Sequence, residues 1–142
     1  METGVGDERR FRRSDYHPLQ LAYLGDAYYE LLARESLLGD GQCKLAQLND
    51  AVRELVTAEG QSAILEGLLP HLTEEEAVIY RSGRNARSAH RTKSASAIDY
   101  RRATGLECLF GYLWLTGQQE RAKELFRLAA EGNWTGKGKD KS

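Results

Sequence analysis

Two acidic residues stand where acids are costly. Asp26 sits inside a helical pattern running from Pro18 to about Leu38, directly after Gly25 in Leu24-Gly-Asp-Ala-Tyr-Tyr29. Aspartate is a poor mid-helix residue because its side chain competes for backbone hydrogen bonds, and it is rarely buried without a partner. Glycine weakens the same turn by about 1 kcal/mol relative to alanine. Glu107 is the one charge in the most apolar run of the chain, Ala103-Thr-Gly-Leu-Glu-Cys-Leu-Phe-Gly-Tyr-Leu-Trp-Leu115. An unpaired carboxylate there would cost several kcal/mol or take up a proton. A hard divalent cation shared by two carboxylates removes that cost, and oxygen-only ligation selects Mg²⁺ or Mn²⁺ over Zn²⁺. The structural alternative is that each acid pairs with an arginine, or that Asp26 caps a helix. The two acids lie 81 positions apart, so only the fold can unite them.

Other chemistries find no support. Walker-type glycine loops, Gly-x-Ser-x-Gly and a Cys–His pairing are all missing from the sequence. His17, His71 and His90 show no ligand spacing, and Cys43 and Cys108 form no metal-type pair; both thiols are expected to be buried and reduced.

The second feature is a cationic stretch. Arg81, Arg84, Arg87, Arg91, Lys93, Arg101 and Arg102 are accompanied by a single acid, Asp99, on a chain with 20 Lys+Arg against 21 Asp+Glu. Residues 82–96 are small, polar and almost devoid of large apolar side chains, so they cannot bury a face and read as an exposed loop. Arginine mixed with serine and asparagine suits phosphate binding better than mere solvation.

These groups need a scaffold, and the periodicity supplies only helices. The spacing predicts helices over 18–38, 44–58, 62–69, about 74–83, 97–116 and 119–130. Gly60 is expected to break the second from the third. Thr73-Glu-Glu-Glu76 is a capping box for the fourth. With Asp26 at zero on the first helical wheel, Leu19, Ala22, Tyr23, Glu30 and Ala33 share its face. Leu21, Leu24, Tyr28, Leu31 and Leu32 fall opposite, as core. Gly105 and Gly111 remove bulk beside Glu107 and permit close approach of another backbone. Sustained two-residue alternation is absent, so the fold class is all-α.

With 142 residues and near-neutral charge, the chain has room for one domain and a real core. The apolar stretch 106–115 is too short to cross a bilayer, and the amino terminus lacks the apolar segment of a secretory signal. The division expected is a flexible segment over 1–17, a folded domain over 18–130 and a disordered tail over 131–142.

Four blocks then become recognisable in order: Leu21-Ala-Tyr-Leu-Gly-Asp-Ala-Tyr-Tyr-Glu30, Leu72-Thr-Glu-Glu-Glu76, Arg84-Asn-Ala-Arg-Ser88 and Tyr100-Arg-Arg-Ala-Thr-Gly-Leu-Glu-Cys-Leu-Phe-Gly-Tyr-Leu-Trp-Leu115. Together they resemble the ribonuclease III family, above all its short branch, Mini-ribonuclease III. The resemblance implies an all-helical endonuclease domain, a homodimer, that cuts double-stranded RNA with Mg²⁺ (or Mn²⁺) and leaves 5′-phosphate ends. It implies maturation of the precursor of large-subunit ribosomal RNA in a bacterial cytoplasm or a plastid stroma, with a ribosomal protein as a cofactor in some members and no membrane association. Asp26 and Glu107 match the family's catalytic, metal-binding acids. Arg84, Asn85, Arg87, Arg91, Lys93, Arg101 and Arg102 are the RNA-binding set. Full-length members carry further acids where this chain has Leu19, Ala22 and Thr104. That leaves the number of metal ions open, with Glu30, Asp40, Glu54 and Asp99 as outlying acids. The rival readings are an inactive duplex-binding module of the same fold and a helical protein-interaction domain. Tyr29, Tyr112 and Trp114 belong either to the core or to a dimer interface.

Overall fold

A computed structural model describes residues 15–39, 41, 43–86 and 97–141, with side chains described as far as Glu131. All of its regular elements are helical: α1 (Pro18–Leu38), α2 (Leu45–Val56), α3 (Ala58–Leu68), a 3₁₀ turn (Leu69–His71), α4 (Glu74–Arg84), α5 (Ala97–Leu115) and α6 (Gln119–Lys141). No strand occurs among the described residues, in agreement with the all-α reading.

The element boundaries have local causes. Pro18 occupies the first turn of α1, where its missing N–H is not needed, and the His17 ring accepts the Leu19 N–H at 3.0 Å. Gly39 at φ 50° ends the helix. In the capping box of α4, Thr73 Oγ1 accepts the Glu76 N–H at 3.1 Å while Glu76 Oε1 accepts the Thr73 N–H at 2.9 Å. The break between α2 and α3 falls at Thr57, not at Gly60. Thr57 is extended (φ −70°, ψ 161°) and caps α3 by accepting the Gly60 N–H at 3.1 Å. Gly60 lies inside α3 for a different reason: a Cβ there would come within 1.7 Å of the Glu54 carbonyl oxygen. At the other end of the chain α6 continues through 131–141, the stretch expected to be a tail.

α5 is the central helix. Residues 103–106 and 108–113 are all buried, and α1, α3 and α4 pack around it, with α6 closing over α3. The core is built from Leu21, Tyr29, Leu65, Leu68, Ile79, Leu106, Leu109, Phe110, Leu113 and Leu125. Tyr29 settles into it with its ring edge-on to Phe110 and Phe126, and its hydroxyl donates to the Leu55 carbonyl at 2.8 Å. Tyr112 is buried too and donates its hydroxyl to Glu75. Trp114 is 41% exposed and meets Tyr28 edge-on, so the three aromatics divide between core and surface.

Two expectations are corrected. Leu31 is exposed rather than core, lining an apolar groove between α1 and α2 with Leu45, Leu48 and Val52. Ala22 and Ala33, which share the wheel face of Asp26, are buried, so that face is open at Asp26 and not along its length. Cys43 is exposed, lying in the short connection before α2, whereas Cys108 is buried as expected.

One ion pair ties α4 to α6. Glu76 is 5% exposed and receives the Arg121 guanidinium as a fork, Nε to Oε2 and Nη2 to Oε1, both at 2.8 Å. Nη2 also donates to the His71 carbonyl at 2.8 Å, satisfying the end of the 3₁₀ turn. Burial alone would raise the Glu76 pKa. The hydrogen bonds from Arg121 and Thr73 and the Arg121 charge outweigh it and hold the carboxyl below its ordinary value.

Candidate active site

The site begins with the junction of α1 and α5. A Cβ on Gly25 would lie 1.7 Å from the Glu107 carbonyl oxygen, and a Cβ on Gly111 would lie 2.0 Å from the Leu21 carbonyl oxygen. Neither position can carry any side chain without moving backbone. Glycine on both helices therefore lets the two backbones touch, which accounts for the propensity lost at Gly25. Gly105 serves a different neighbour: its missing Cβ leaves space for the ring of Tyr80.

This packing brings Asp26, the next residue after Gly25, into hydrogen-bond reach of Glu107. Asp26 is exposed and Glu107 is partly buried, so the pair sits where the α1–α5 seam meets solvent. Burial, then the negative charge of Asp26, pushes the Glu107 carboxyl up from its ordinary 4.5 to about 8. Burial, with Glu107 adding its charge, also raises the Tyr29 phenol. Among the described residues, Glu107 faces Asp26 and Gln61, and no arginine forks onto either acid. Among the described residues, then, neither acid has the arginine partner that the structural ion-pair alternative calls for.

Gln61 was not singled out from the sequence. It lies on α3, 2% exposed, and its Nε2 donates to Glu107 Oε2 at 3.1 Å. The available signal was a glutamine in register with Ile64, Leu65 and Leu68, a polar residue within an apolar stripe.

Ala22 and Thr104, where full-length members of the resembled family carry acids, contribute no ligand. Ala22 is packed away, and the Thr104 hydroxyl donates back to the Tyr100 carbonyl at 3.0 Å. Of the outlying acids, Glu30 is bound to Arg34 at 2.6 Å, Glu54 is exposed, Asp99 stands in the first turn of α5, and Asp40 lies outside the described residues. No cluster of three or more acidic, histidine or cysteine ligands occurs among the described residues. The donor set is two carboxylates. That fits Mg²⁺, which retains several waters and takes one or two protein carboxylates rather than a full protein cage.

The cationic residues divide. Arg81, Arg84 and Arg102 line a groove of about 540 Å³ together with Leu72, Tyr80 and Ile98. The Arg84 guanidinium stands 5.6 Å over the Tyr80 ring, with its Nε donating to Asn85 Oδ1 at 3.1 Å. Asn85 and Arg101 are exposed. Arg102 is bound by Glu66 and partly shielded, so its charge is already partnered. Arg87, Arg91 and Lys93 lie outside the described residues.

An exposed carboxylate beside a partly buried one, at a glycine-lined junction of two helices, is a donor set of the kind that cation-dependent hydrolases use. Comparison with known proteins agrees. Residues 19–118 match the ribonuclease III domain family. The chain is 46% identical to a Mini-ribonuclease 3 of Symbiobacterium thermophilum over 80% of this chain and 88% of that one. It is 44% identical to the Mini-ribonuclease 3 of Brevibacillus brevis, over 80% and 84% of the respective chains. A crystal structure of a Fusobacterium nucleatum protein superposes with a TM-score of 0.71 at 32% identity, covering 83% of this chain and 94% of that one. The chain belongs to the ribonuclease III family, in its Mini-ribonuclease III branch. It is a ribonuclease III-type endoribonuclease.

Proposed function

We propose that this endoribonuclease cuts double-stranded RNA in a Mg²⁺-dependent reaction at Asp26 and Glu107, leaving 5′-phosphate ends, and that it matures the precursor of large-subunit ribosomal RNA. The observation that carries this reading is the convergence of two acids from distant segments at an open seam, with no cationic side chain among the described residues to neutralise them. Asp26 and Glu107 would hold the ion, with Mn²⁺ an acceptable substitute. Bound there, Mg²⁺ supplies Lewis-acid stabilisation of charged phosphoryl oxygens and acidifies water.

The protein's own groups do the rest. Asp26 would supply a solvent-facing carboxylate. Glu107 would hold the ion only as a carboxylate, since a proton and a cation compete for the same oxygens. Arg84, Asn85 and Arg101, joined by Arg87, Arg91 and Lys93, grip phosphates and 2′-hydroxyls. Arg102, occupied by Glu66, shapes the groove more than it binds. A-form duplexes hide their base edges, so recognition is by shape and backbone. A second copy of the chain would set one site against each strand. Large apolar side chains left exposed on α1 and α5, with Tyr23 at 85%, Ile98 at 67% and Leu31 at 53%, support such a dimer. No helix among the described residues is long and apolar enough to cross a membrane; a bacterial cytoplasm or plastid stroma, where precursor ribosomal RNA is made, is the proposed place of action.

The test is cleavage of a long RNA duplex, first with Mg²⁺ and then with excess chelator, beside a single-stranded control. Fragments with 5′-phosphate ends that vanish with chelator and are missing from the control are expected. Absence of cutting, or cutting indifferent to chelator, would overturn the reading.

A further inference from the structure

We propose that Gln61 is a positioning residue for Glu107, its buried amide fixing carboxylate oxygen Oε2 and thereby the direction in which Glu107 presents itself beside Asp26. The inference rests on the nuclease reading above and deepens it.

Gln61 is almost fully buried in a stripe with Ile64, Leu65 and Leu68, a position where packing alone would be served by leucine. A buried amide without a partner is strongly unfavourable, and here Nε2 reaches Glu107 Oε2 at 3.1 Å across 46 positions of sequence. The hydrogen bond has a defined polarity. Against a carboxylate only the NH₂ side of the amide can face inward, because the reversed amide would oppose two oxygen lone pairs. An amide N–H cannot ligate a cation, so Gln61 steers Glu107 without competing for the ion.

The support beneath Gln61 is stiff. Its own N–H donates to the Thr57 carbonyl at 2.8 Å in the first turn of α3. Thr57 caps that turn through Gly60, and Gly60 presses against the Glu54 carbonyl of α2 with no room for a Cβ. Residues that hold a ligand through a hydrogen bond change metal affinity or activity without touching the substrate.

The experiment compares wild type with Gln61→Met, which keeps length and apolar packing but has no donor, and Gln61→Leu, which keeps a similar apolar volume and likewise has no donor. Circular dichroism and melting confirm folding of each. Mn²⁺ and Mg²⁺ are titrated calorimetrically into RNA-free protein, and single-turnover cleavage of a duplex is measured separately. For both variants we expect metal affinity and kcat to fall by about tenfold or more, with the KM for duplex within about twofold of wild type. A folded Gln61→Met protein with wild-type metal affinity and kcat would overturn the inference while leaving the nuclease reading intact. If wild type does not cut RNA, that reading fails alone and the metal titration still decides the role of Gln61. Failure of wild type to take up either ion would overturn both.

Discussion

Gly25 and Glu107 meet backbone to backbone: the Cβ that Gly25 lacks would lie 1.7 Å from the Glu107 carbonyl oxygen. The distance between the two acids of the site is therefore set by an absent methyl group. Gly25→Ala should force α1 away from α5. Overpacking a core ordinarily costs about 1–3 kcal/mol, and here the neighbour is backbone, which cannot rotate aside. A fall in melting temperature of several degrees, together with loss of metal uptake, is the expected outcome. Retention of both would mean that the seam yields more easily than its geometry indicates.

Asp26→Asn should preserve the fold and the affinity for duplex RNA, because the side chain is exposed and its shape is unchanged. Metal-dependent cutting should fall by on the order of a thousandfold or more, the ion having lost one of its two protein carboxylates. Binding by gel shift and cleavage by denaturing gel separate the two properties. Wild-type cleavage by this variant would remove Asp26 from the mechanism.

Two glutamates give the metal-free protein opposite pH responses. The pKa of Glu107 is raised to about 8, so its contribution to stability is full below the ordinary carboxylate range and is lost as pH climbs through about 8. Mg²⁺ should reverse that loss, stabilising the protein more at about pH 8.5 than at about pH 6. Melting curves across pH, with and without Mg²⁺, are the measurement. Glu107→Gln should abolish the alkaline slope and the Mg²⁺ effect together.

The Glu76 carboxyl is held below its ordinary value, so its contribution is present above about pH 4.5 and disappears as pH falls through the lowered value. Removing one partner from such a buried fork costs about 3–5 kcal/mol, because the other charge stays buried without compensation. Arg121→Met should therefore lower stability in urea by about that much near neutral pH, and by much less once acid has protonated Glu76. An equal loss at both pH values would show that Arg121 acts through packing.

Neutralising Arg84, Arg87 and Lys93 together should weaken duplex binding and flatten its dependence on salt, by a slope of about one for each phosphate no longer held. Arg102→Ala should change the slope little, since Glu66 already holds that charge. An unchanged slope in the triple variant would return this stretch to a role in solubility.

Sequence alone sufficed for the helices, for several of their ends and for singling out both acids of the proposed site. Helical periodicity and capping chemistry are local, so Pro18, Gly39 and the Thr73–Glu76 box could be read without a fold. Asp26 and Glu107 were conspicuous because a charge inside an apolar helix violates a local rule, and such violations mark function. The break at Thr57 was misplaced to Gly60 because glycine looks the same on a line of text whether it ends a helix or admits a neighbouring backbone. The exposure of Leu31, the partnering of Arg102 by Glu66 and the amide of Gln61 on Glu107 emerged with the folded arrangement. Each depends on which segments, dozens of positions apart, are brought together, and side-chain spacing within one helix carries no record of that.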